Sequence, residues 1–188
     1  KNITVNGVTY AAQIIGFDHD TLTTADGSRT KAGITFQLVD CLKTTYSMNG
    51  SNTNVNGWRG STMRTSTMAT LLNQLSSDLK SVLKFVNKVT SVGNNSSGLE
   101  TTSDKLFLLS EIEVFGATQY SYAGEGKQYE YYTAGNSTIK KVNGSANSWW
   151  ERSPYSGNTS YFCYVTDNGA ASADYASDSF GVSFGFCV

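Results

Sequence analysis

Residues 153–188 read SPYSGNTSYFCYVTDNGAASADYASDSFGVSFGFCV, and this stretch decides the fold that the sequence predicts. It contains no Lys, Arg, Glu, Gln, His, Ile, Leu, Met or Trp, and its only charged residues are Asp167, Asp174 and Asp178. Its spaced apolar residues are sufficient to anchor two strands: Phe162, Val165, Phe180, Val182, Phe184 and Phe186. We therefore expect ordered β-structure here rather than a disordered terminus.

The first of these strands is followed by a turn signal and contains more aromatic residues than one face can bury. Asp167-Asn168-Gly169 supplies residues that tolerate the left-handed backbone of a tight turn. Some tyrosines must then lie at the surface, beside Ser, Asn and Gly, and this combination is typical of recognition surfaces such as antibody loops. Small polar residues also occupy ordinary exposed loops, and Tyr is a good strand former, so composition leaves both interpretations open.

Upstream of this stretch the hydrophobic pattern changes twice. Residues 1–50 alternate polar and apolar in short runs separated by turns such as Asn6-Gly7, which predicts antiparallel strands. After Ser61, apolar residues recur three or four apart, which predicts one face of a helix: Met68, Leu72, Leu75, Leu79, Val82, Leu83, Val86 and Val89. Ser76-Ser77-Asp78 divides this pattern into two helices, capped by Ser61 and by Ser76 or Ser77.

The middle of the chain has weaker signals. Residues 92–98 are expected to form a polar loop, and 105–110 a buried strand. A short helix is expected at 111–115 and another near 128–132.

Length and charge exclude several classes of protein. The chain has 188 residues, the size of one domain, and we expect a single domain over 1–188 with 149–188 as its binding region. Lys and Arg number 14 against 15 Asp and Glu, so no positive excess is available for a phosphate backbone. No apolar run approaches the roughly 20 residues of a spanning helix. Neither nucleic-acid binding nor membrane insertion is expected.

The residues usual in catalysis and metal binding are scarce. His19 is the only histidine, and the three cysteines, Cys41, Cys163 and Cys187, lie in sequence contexts typical of small buried hydrophobes. Asp18-His19-Asp20 is better interpreted as a turn, because a metal site needs three or four convergent ligands. No catalytic residue, metal or cofactor is therefore predicted.

Five other residues have a structural and a functional interpretation. Glu111 and Glu113 lie two apart and do not share a face, so exposure at a helix end is favoured over a catalytic pair. One of Trp149 and Trp150 is expected in the core rather than stacked on a sugar. Arg152 is expected to bind backbone carbonyls or a carboxylate rather than a ligand.

Four blocks along the chain carry a resemblance to a known family: 13–20 (QIIGFDHD), 57–64 (GWRGSTMR), 104–111 (DKLFLLSE) and 149–188 with WWERSP, YFCYV and FGVSFGFCV. They resemble a domain-of-unknown-function family common in gut bacteria and their phages. That family is similar to the C-type-lectin-like fold of formylglycine-generating-enzyme relatives and to the variable proteins of diversity-generating retroelements. The resemblance implies an α+β fold of C-type-lectin-like type, with two helices flanking small antiparallel sheets and the first strand pairing near the last.

The sequence departs from this pattern at identifiable places. Glu151 stands where such proteins often carry an apolar residue, and Ser183-Phe184 replaces a frequent Arg-Pro. The sugar-site blocks of calcium-dependent lectins are absent, and Cys163 and Cys187 are too far apart to match the paired cysteines of formylglycine-generating enzymes. The resemblance therefore implies neither calcium-dependent sugar binding nor that enzyme activity.

The restricted set of residue types in 153–188 has a further interpretation under this resemblance. Randomising the adenines of an Asn codon that ends in a pyrimidine never yields Lys, Glu, Gln, Met or Trp, and residues 153–188 obey this filter. We hypothesise ten diversified, solvent-facing ligand-binding positions: Tyr155, Asn158, Ser160, Tyr161, Tyr164, Asp174, Tyr175, Ser177, Asp178 and Phe180. The corresponding scaffold is Phe162, Val165, Val182, Phe184 and Phe186.

The sequence thus predicts a non-enzymatic receptor-recognition module, a target protein of a diversity-generating retroelement. Its expected partner is a protein or glycan on a cell surface, with homo-oligomerisation as an open option. Its expected location is the cell surface, the secreted fraction or a phage virion. Two alternatives remain: an assembly domain of a cell-surface or phage tail protein, and a carbohydrate-processing enzyme module.

Overall fold

The computed structural model describes all residues from Lys1 to Val188 and consists mainly of antiparallel strands. Fourteen strands form four sheets, whereas each α-helix has only four to six residues. The expected α+β, C-type-lectin-like fold with two flanking helices is therefore wrong. Helices this short cannot cover a sheet as a layer, and the fold is β-rich.

The largest sheet has five strands in the order β1-β2-β5-β14-β8, and it joins both ends of the chain. Its strands are β1 (Asn2–Val5), β2 (Val8–Phe17), β5 (Ile34–Leu38), β8 (Leu106–Phe107) and β14 (Gly185–Cys187). The predicted turn at Asn6-Gly7 connects β1 and β2, with φ of 47° and 76° at its two residues. The first strand shares this sheet with the last strand, as expected, but β14 pairs directly with β5 and β8.

A second sheet, β4-β3-β6-β7, corrects the helical prediction for residues 86–89. Its strands are β3 (Thr21–Asp26), β4 (Arg29–Lys31), β6 (Val86–Gly93) and β7 (Ser96–Asp104). Val86 and Val89 lie in β6, opposite Asp104 and Thr101 of β7. β-Branched valines favour strands, and here pairing with β7 decides the outcome. The loop predicted at 92–98 is wrong except at its centre, because 92–93 belong to β6 and 96–98 to β7. Only Asn94 and Asn95, both at φ 55°, form the tight turn of this hairpin.

The helices are α1 (Gly57–Gly60), α2 (Ala69–Gln74), α3 (Ser77–Val82), α4 (Glu111–Phe115) and α5 (Glu130–Thr133), and a π-helical segment (Met63–Met68) precedes α2. The predicted break is confirmed, because the hydroxyl of Ser76 accepts the Leu79 N–H at the start of α3. Ser61 likewise accepts the Arg64 N–H. Helix α4 is also confirmed, and a reciprocal capping box of Ser110 and Glu113 begins it. None of these helices is long and apolar enough to cross a membrane.

The C-terminal part forms a three-stranded sheet in the order β11-β12-β13, preceded by a hairpin of β9 (Lys140–Val142) and β10 (Ser145–Asn147). The three strands are β11 (Trp149–Pro154), β12 (Tyr161–Val165) and β13 (Ala171–Tyr175). The predicted turn at 167–169 connects β12 to β13, and Gly169 has φ 89° there. Trp149 and Trp150 are both fully buried, which confirms the core interpretation for these residues.

Candidate functional site

None of the ten predicted binding positions is buried, whereas all five predicted scaffold residues are. Tyr175 is the most accessible of the tyrosines among them, with 43% of its surface exposed. The division follows the pleat of the C-terminal strands and the loops that connect them. The ligand-binding role of these positions stays a prediction.

Three of the predicted tyrosines lie side by side and are joined by one that the sequence analysis did not select. Ring centroids are 4.6 Å apart for Tyr161 and Tyr175, and 6.0 Å apart for Tyr155 and Tyr161. Tyr120, from the loop after α4, lies 5.7 Å from Tyr155. We call these four residues, Tyr120, Tyr155, Tyr161 and Tyr175, the tyrosine face.

Strand register brings the two central tyrosines together. Tyr161 begins β12 and lies directly opposite Tyr175 at the end of β13, so their side chains share one face of the sheet. Further along that face, Cys163 and Val165 are buried. The tyrosine face therefore occupies the end of the sheet that the core does not cover.

A buried carboxylate positions Tyr120. Glu111 accepts the backbone N–H groups of Gln119, Tyr120 and Ser121 at 2.7–3.1 Å. Glu111 is only 1% exposed, so the expectation that it is solvated at a helix end is wrong. A carboxylate can accept several N–H groups at once, and this one fixes the loop that carries Tyr120.

Asn54 positions the loop between β11 and β12. Its side-chain amide donates to the carbonyls of Asn158 and Tyr161 at 2.9 and 2.8 Å, and more weakly to that of Tyr155 at 3.3 Å. Its Oδ1 accepts the Asn94 N–H at 2.8 Å. Asn54 is fully buried and has used its hydrogen-bonding capacity. It holds the backbone on which Tyr155 and Tyr161 stand.

Two carboxylates lie near the tyrosine face. Partial burial and then the neighbouring Asp174 raise the pKa of Asp178 above its usual value. The Tyr175 phenol, with smaller effects from Asp174 and Asp178, raises the pKa of Tyr161. The Tyr161 phenol is therefore a neutral hydrogen-bonding group.

The structure does not bring all ten positions into one surface. Tyr164 and Phe180 pack with buried Trp150, at 4.6 Å between Tyr164 and Phe180 and 4.6 Å between Phe180 and Trp150. Tyr164 has the opposite strand parity from Tyr161, so it lies on the other face of the sheet. Ser177 donates its hydroxyl to Asn52, and the side chain of Asn158 accepts the Ser160 N–H.

The interior holds a cluster of charged residues, which we call the ion cluster: Asp20, Lys88, Glu113 and Arg152. Each is no more than 4% exposed. Arg152 donates to both oxygens of Glu113 and to the carbonyls of Val89, Leu108 and Glu125. This confirms the structural interpretation of Arg152 and corrects that of Glu113, which is buried rather than solvated.

Burial and opposite charge act against each other in this cluster. Burial alone would raise the pKa of Asp20 and of Glu113. The Lys88 ammonium holds the pKa of Asp20 below its usual value, and Arg152 does the same for Glu113. Both carboxylates are therefore ionised and paired.

Two further glutamates lie beside the ion cluster without a matching positive charge. Burial raises the pKa of Glu125 to about 7, although hydrogen bonds from Ser153 and Ser91 oppose this. Glu151 is fully buried, and neither of its carboxyl oxygens has a hydrogen-bond partner. Burial, with smaller effects from Glu111 and Glu125, raises the pKa of Glu151 well above 4.5. Glu151 is also the residue that stands where the family resembled in the sequence often carries an apolar one.

No group of three or more His, Cys, Asp or Glu side chains has an arrangement that could hold a metal ion. Cys41, Cys163 and Cys187 are buried and unpaired. Burial raises the pKa of each thiol, which leaves the cysteines in their unreactive form.

Three residues of the site carry no signal in the sequence that marks them as parts of it: Asn54, Glu111 and Tyr120. Tyr120 and Asn54 lie outside residues 149–188, and no motif distinguishes them from the chain's other Tyr and Asn residues. Glu111 was considered only as a partner of Glu113. These residues join the site through contacts distant in sequence.

Comparison with known proteins places the chain in a family whose function is not known. The family model for a domain of unknown function, DUF6273, matches residues 32–188. Searches of curated proteins and of solved structures found no match. The matched range includes strands β5, β8 and β14 of the five-stranded sheet, the ion cluster apart from Asp20, and the whole tyrosine face. The chain therefore belongs to the DUF6273 family.

Proposed function

We propose that this chain is a non-enzymatic ligand-binding module that contacts a protein or glycan on a cell surface through its tyrosine face. The observation that carries the proposal is the contiguity of Tyr120, Tyr155, Tyr161 and Tyr175, none of which is buried. Tyr offers a large contact area for few rotatable bonds and adds a hydroxyl for hydrogen bonding. A row of four such side chains, two on sheet strands and two on the loops beside them, suits protein and sugar surfaces alike.

The support beneath the tyrosine face favours recognition without large rearrangement. Asn54 and Glu111 fix the two loops that carry Tyr120 and Tyr155, and both act from buried positions. Side chains held in this way lose less conformational entropy on binding than mobile ones. The nearby Asp174 and Asp178 would favour partners that present hydrogen-bond donors or positive charge.

The larger cavities of the molecule lie away from the tyrosine face. Cavities of about 550, 430 and 330 Å³ are lined by residues of 1–105, together with Phe186 and Val188 in the largest. None of these three includes a tyrosine of the tyrosine face. Binding through the tyrosine face would therefore not use any of these three cavities.

We further propose that the exposed positions of residues 149–188 are targets of adenine-directed diversification. Two features support this: the restricted alphabet of residues 153–188, and the division between ten unburied and five buried positions. The gene tests it directly. A nearby non-coding near-copy that differs only at adenines is expected, and its absence contradicts diversification while leaving the binding proposal intact.

The binding proposal is tested with the full chain on a glycan array and against proteins extracted from host cell surfaces. A Tyr161→Ala, Tyr175→Ala double variant is expected to weaken binding of any ligand found by about tenfold or more. Phe17→Ala is the matched control, because Phe17 is a 61% exposed aromatic residue on β2, outside the tyrosine face.

Both variants are expected to keep the wild-type melting temperature. Unchanged binding by the double variant contradicts the proposal. Loss of self-association in size-exclusion chromatography, with no ligand found, favours the alternative of an assembly domain.

A further inference from the structure

Lys88 lies between two carboxylates in the dry interior, and its Nζ has three acceptors for its three protons. Nζ is 2.7 Å from Oδ1 of Asp20, 2.8 Å from Oε1 of Glu113 and 3.0 Å from the hydroxyl of Tyr129. The ammonium also lies 4.2 Å from the centre of the Phe107 ring. Lys88 is 2% exposed and Tyr129 is fully buried, so bulk water does not reach these atoms.

The second oxygen of Asp20 is surrounded by hydrogen-bond donors. Oδ2 accepts the Thr35 hydroxyl at 2.6 Å, the Tyr129 hydroxyl at 2.9 Å and the Cys187 thiol at 3.5 Å. These donors withdraw electron density from the carboxyl group and stabilise charge that develops on Oδ2. The carboxyl carbon of Asp20 is thus polarised while an amine group lies against its other oxygen.

We propose that Lys88 and Asp20 become joined by an intramolecular isopeptide bond, with Glu113 as the proton-transfer residue. One proton moves from the Lys88 ammonium through the Tyr129 hydroxyl to Oδ2 of Asp20, which turns the ion pair into an amine beside a carboxylic acid. The amine attacks Cγ of Asp20, and Glu113 takes a second proton from the attacking nitrogen. The C–N bond forms and the Cγ–Oδ2 bond breaks. Two of the three ammonium protons leave with Oδ2 as water, one relayed by the Tyr129 hydroxyl and one returned by Glu113. The ammonium and the carboxylate thus become a neutral amide and water, with no other reactant.

Charge balance and burial favour the amide product. A buried ion pair carries a desolvation cost that a neutral amide avoids. Removing one positive and one negative charge leaves Arg152 paired with Glu113, so no isolated charge remains in the ion cluster. Holding amine and carboxyl in contact also removes the entropy cost of bringing them together, and exclusion of water slows the reverse hydrolysis.

Asp20 is a better acyl group than Glu113. Both oxygens of Glu113 are bound by Arg152, and one also accepts the Ser110 N–H. These contacts stabilise Glu113 as a carboxylate and make loss of an oxygen from it costly. The donors on Asp20 Oδ2 are neutral hydroxyl and thiol groups, which can pass protons to a leaving oxygen.

The test is the intact mass of the full chain, measured after denaturation. The expected mass is lower than that of the sequence by one water molecule, and a protease digest is expected to contain one branched peptide joining Asp20 to Lys88. The full unmodified mass overturns the proposal, and so does a branch from Lys88 to Glu113. A water loss that maps to a linear peptide at Asp26-Gly27 indicates a succinimide and overturns it as well.

Variants sharpen the assignment. Asp20→Asn is expected to lose ammonia instead of water, because nitrogen is then the leaving atom, while Lys88→Met is expected to show its full mass. Glu113→Gln is expected to slow the loss of water in freshly folded protein. Lys140→Met is the matched control, since Lys140 is a buried lysine that contacts only the carbonyls of Leu38 and Val39 within hydrogen-bonding distance, and it is expected to retain the branch. If Lys88→Met does not fold, the wild-type mass and digest still decide the question, independently of any ligand of the tyrosine face.

Discussion

Aromatic side chains of the tyrosine face lie at the surface, whereas the four charged side chains of the ion cluster lie in the interior. Tyr175 is 43% exposed, and Arg152 is fully buried. Burial of four charged side chains reverses the usual preference of their residue types, whereas Tyr is found both in interiors and at surfaces. Exposed aromatics cost the fold little and offer contact area, but buried charges remain only because each has a partner. The two regions should therefore respond to substitution in opposite ways.

The largest expected loss follows removal of a charge from the ion cluster. Arg152→Ala leaves Glu113 without its main partner in the interior, and we expect the free energy of unfolding to fall by about 3–5 kcal/mol. The matched control is Arg59→Ala, which breaks the Arg59–Glu100 pair, where the Arg59 side chain is 67% exposed. That change is expected to cost no more than about 1 kcal/mol. Denaturant unfolding of both variants measures the difference, and equal losses would show that the ion cluster is not what stabilises the core.

The next effect concerns the support of the tyrosine face. Asn54→Leu deprives buried backbone groups of the 155–161 loop of their donor, at an expected cost of about 2–3 kcal/mol. The loop amides should also exchange hydrogen faster. Asn136→Leu is the control, since Asn136 is exposed and donates only to the Tyr131 carbonyl. Unchanged exchange in 155–161 would mean that other contacts hold the loop.

Replacement of Glu151 is expected to change the free energy of unfolding by a smaller amount, and to raise it instead of lowering it. Burial raises its pKa well above 4.5, so the unfolded chain releases this proton first as the pH rises. The contribution of Glu151 to stability is present in full below pH 4.5 and is lost as the pH rises toward the folded-state pKa. Glu151→Leu is expected to gain about 1–2 kcal/mol at neutral pH and nothing near pH 4.

Unfolding curves across this pH range check the prediction, with Glu130→Gln as the exposed control. The contribution of Glu125 to stability also falls as the pH rises from 4.5 to about 7. Part of the decrease of the free energy of unfolding with pH should therefore remain in the Glu151→Leu variant. A gain that does not depend on pH would indicate improved packing instead.

The smallest effect is expected at the surface. Tyr175→Ala should change the free energy of unfolding by less than about 0.5 kcal/mol, because its ring is half exposed. Phe162→Ala, on the neighbouring strand but fully buried, is expected to cost about 3–5 kcal/mol. Thermal melts of the two variants make the comparison. A large loss at Tyr175 would indicate that the tyrosine face belongs to the core.

Local signals in the sequence predicted the turns and caps well. Asn6-Gly7, residues 167–169, the Ser76 cap and helix α4 depend on neighbouring residues, and each is present. The apolar pattern at 86–89 fitted a helix as well as a strand, and only the pairing of β6 with β7 distinguishes the two. The resemblance predicted two helices that flank the sheets. This fold class is wrong, because the helices are too short to form layers.

By itself the sequence determined that residues 153–188 contain ordered β-structure, and that the strand around Phe162 has more aromatic residues than one of its faces can bury. Alternation of side chains along a strand is a local property, so it is visible without coordinates. Only the tertiary structure decided that Tyr120 joins the tyrosine face and that Lys88 meets Asp20, 68 residues away in sequence. The reason is physical: a charge can be buried only where folding brings a partner to it, and no local pattern records which distant residue that partner will be.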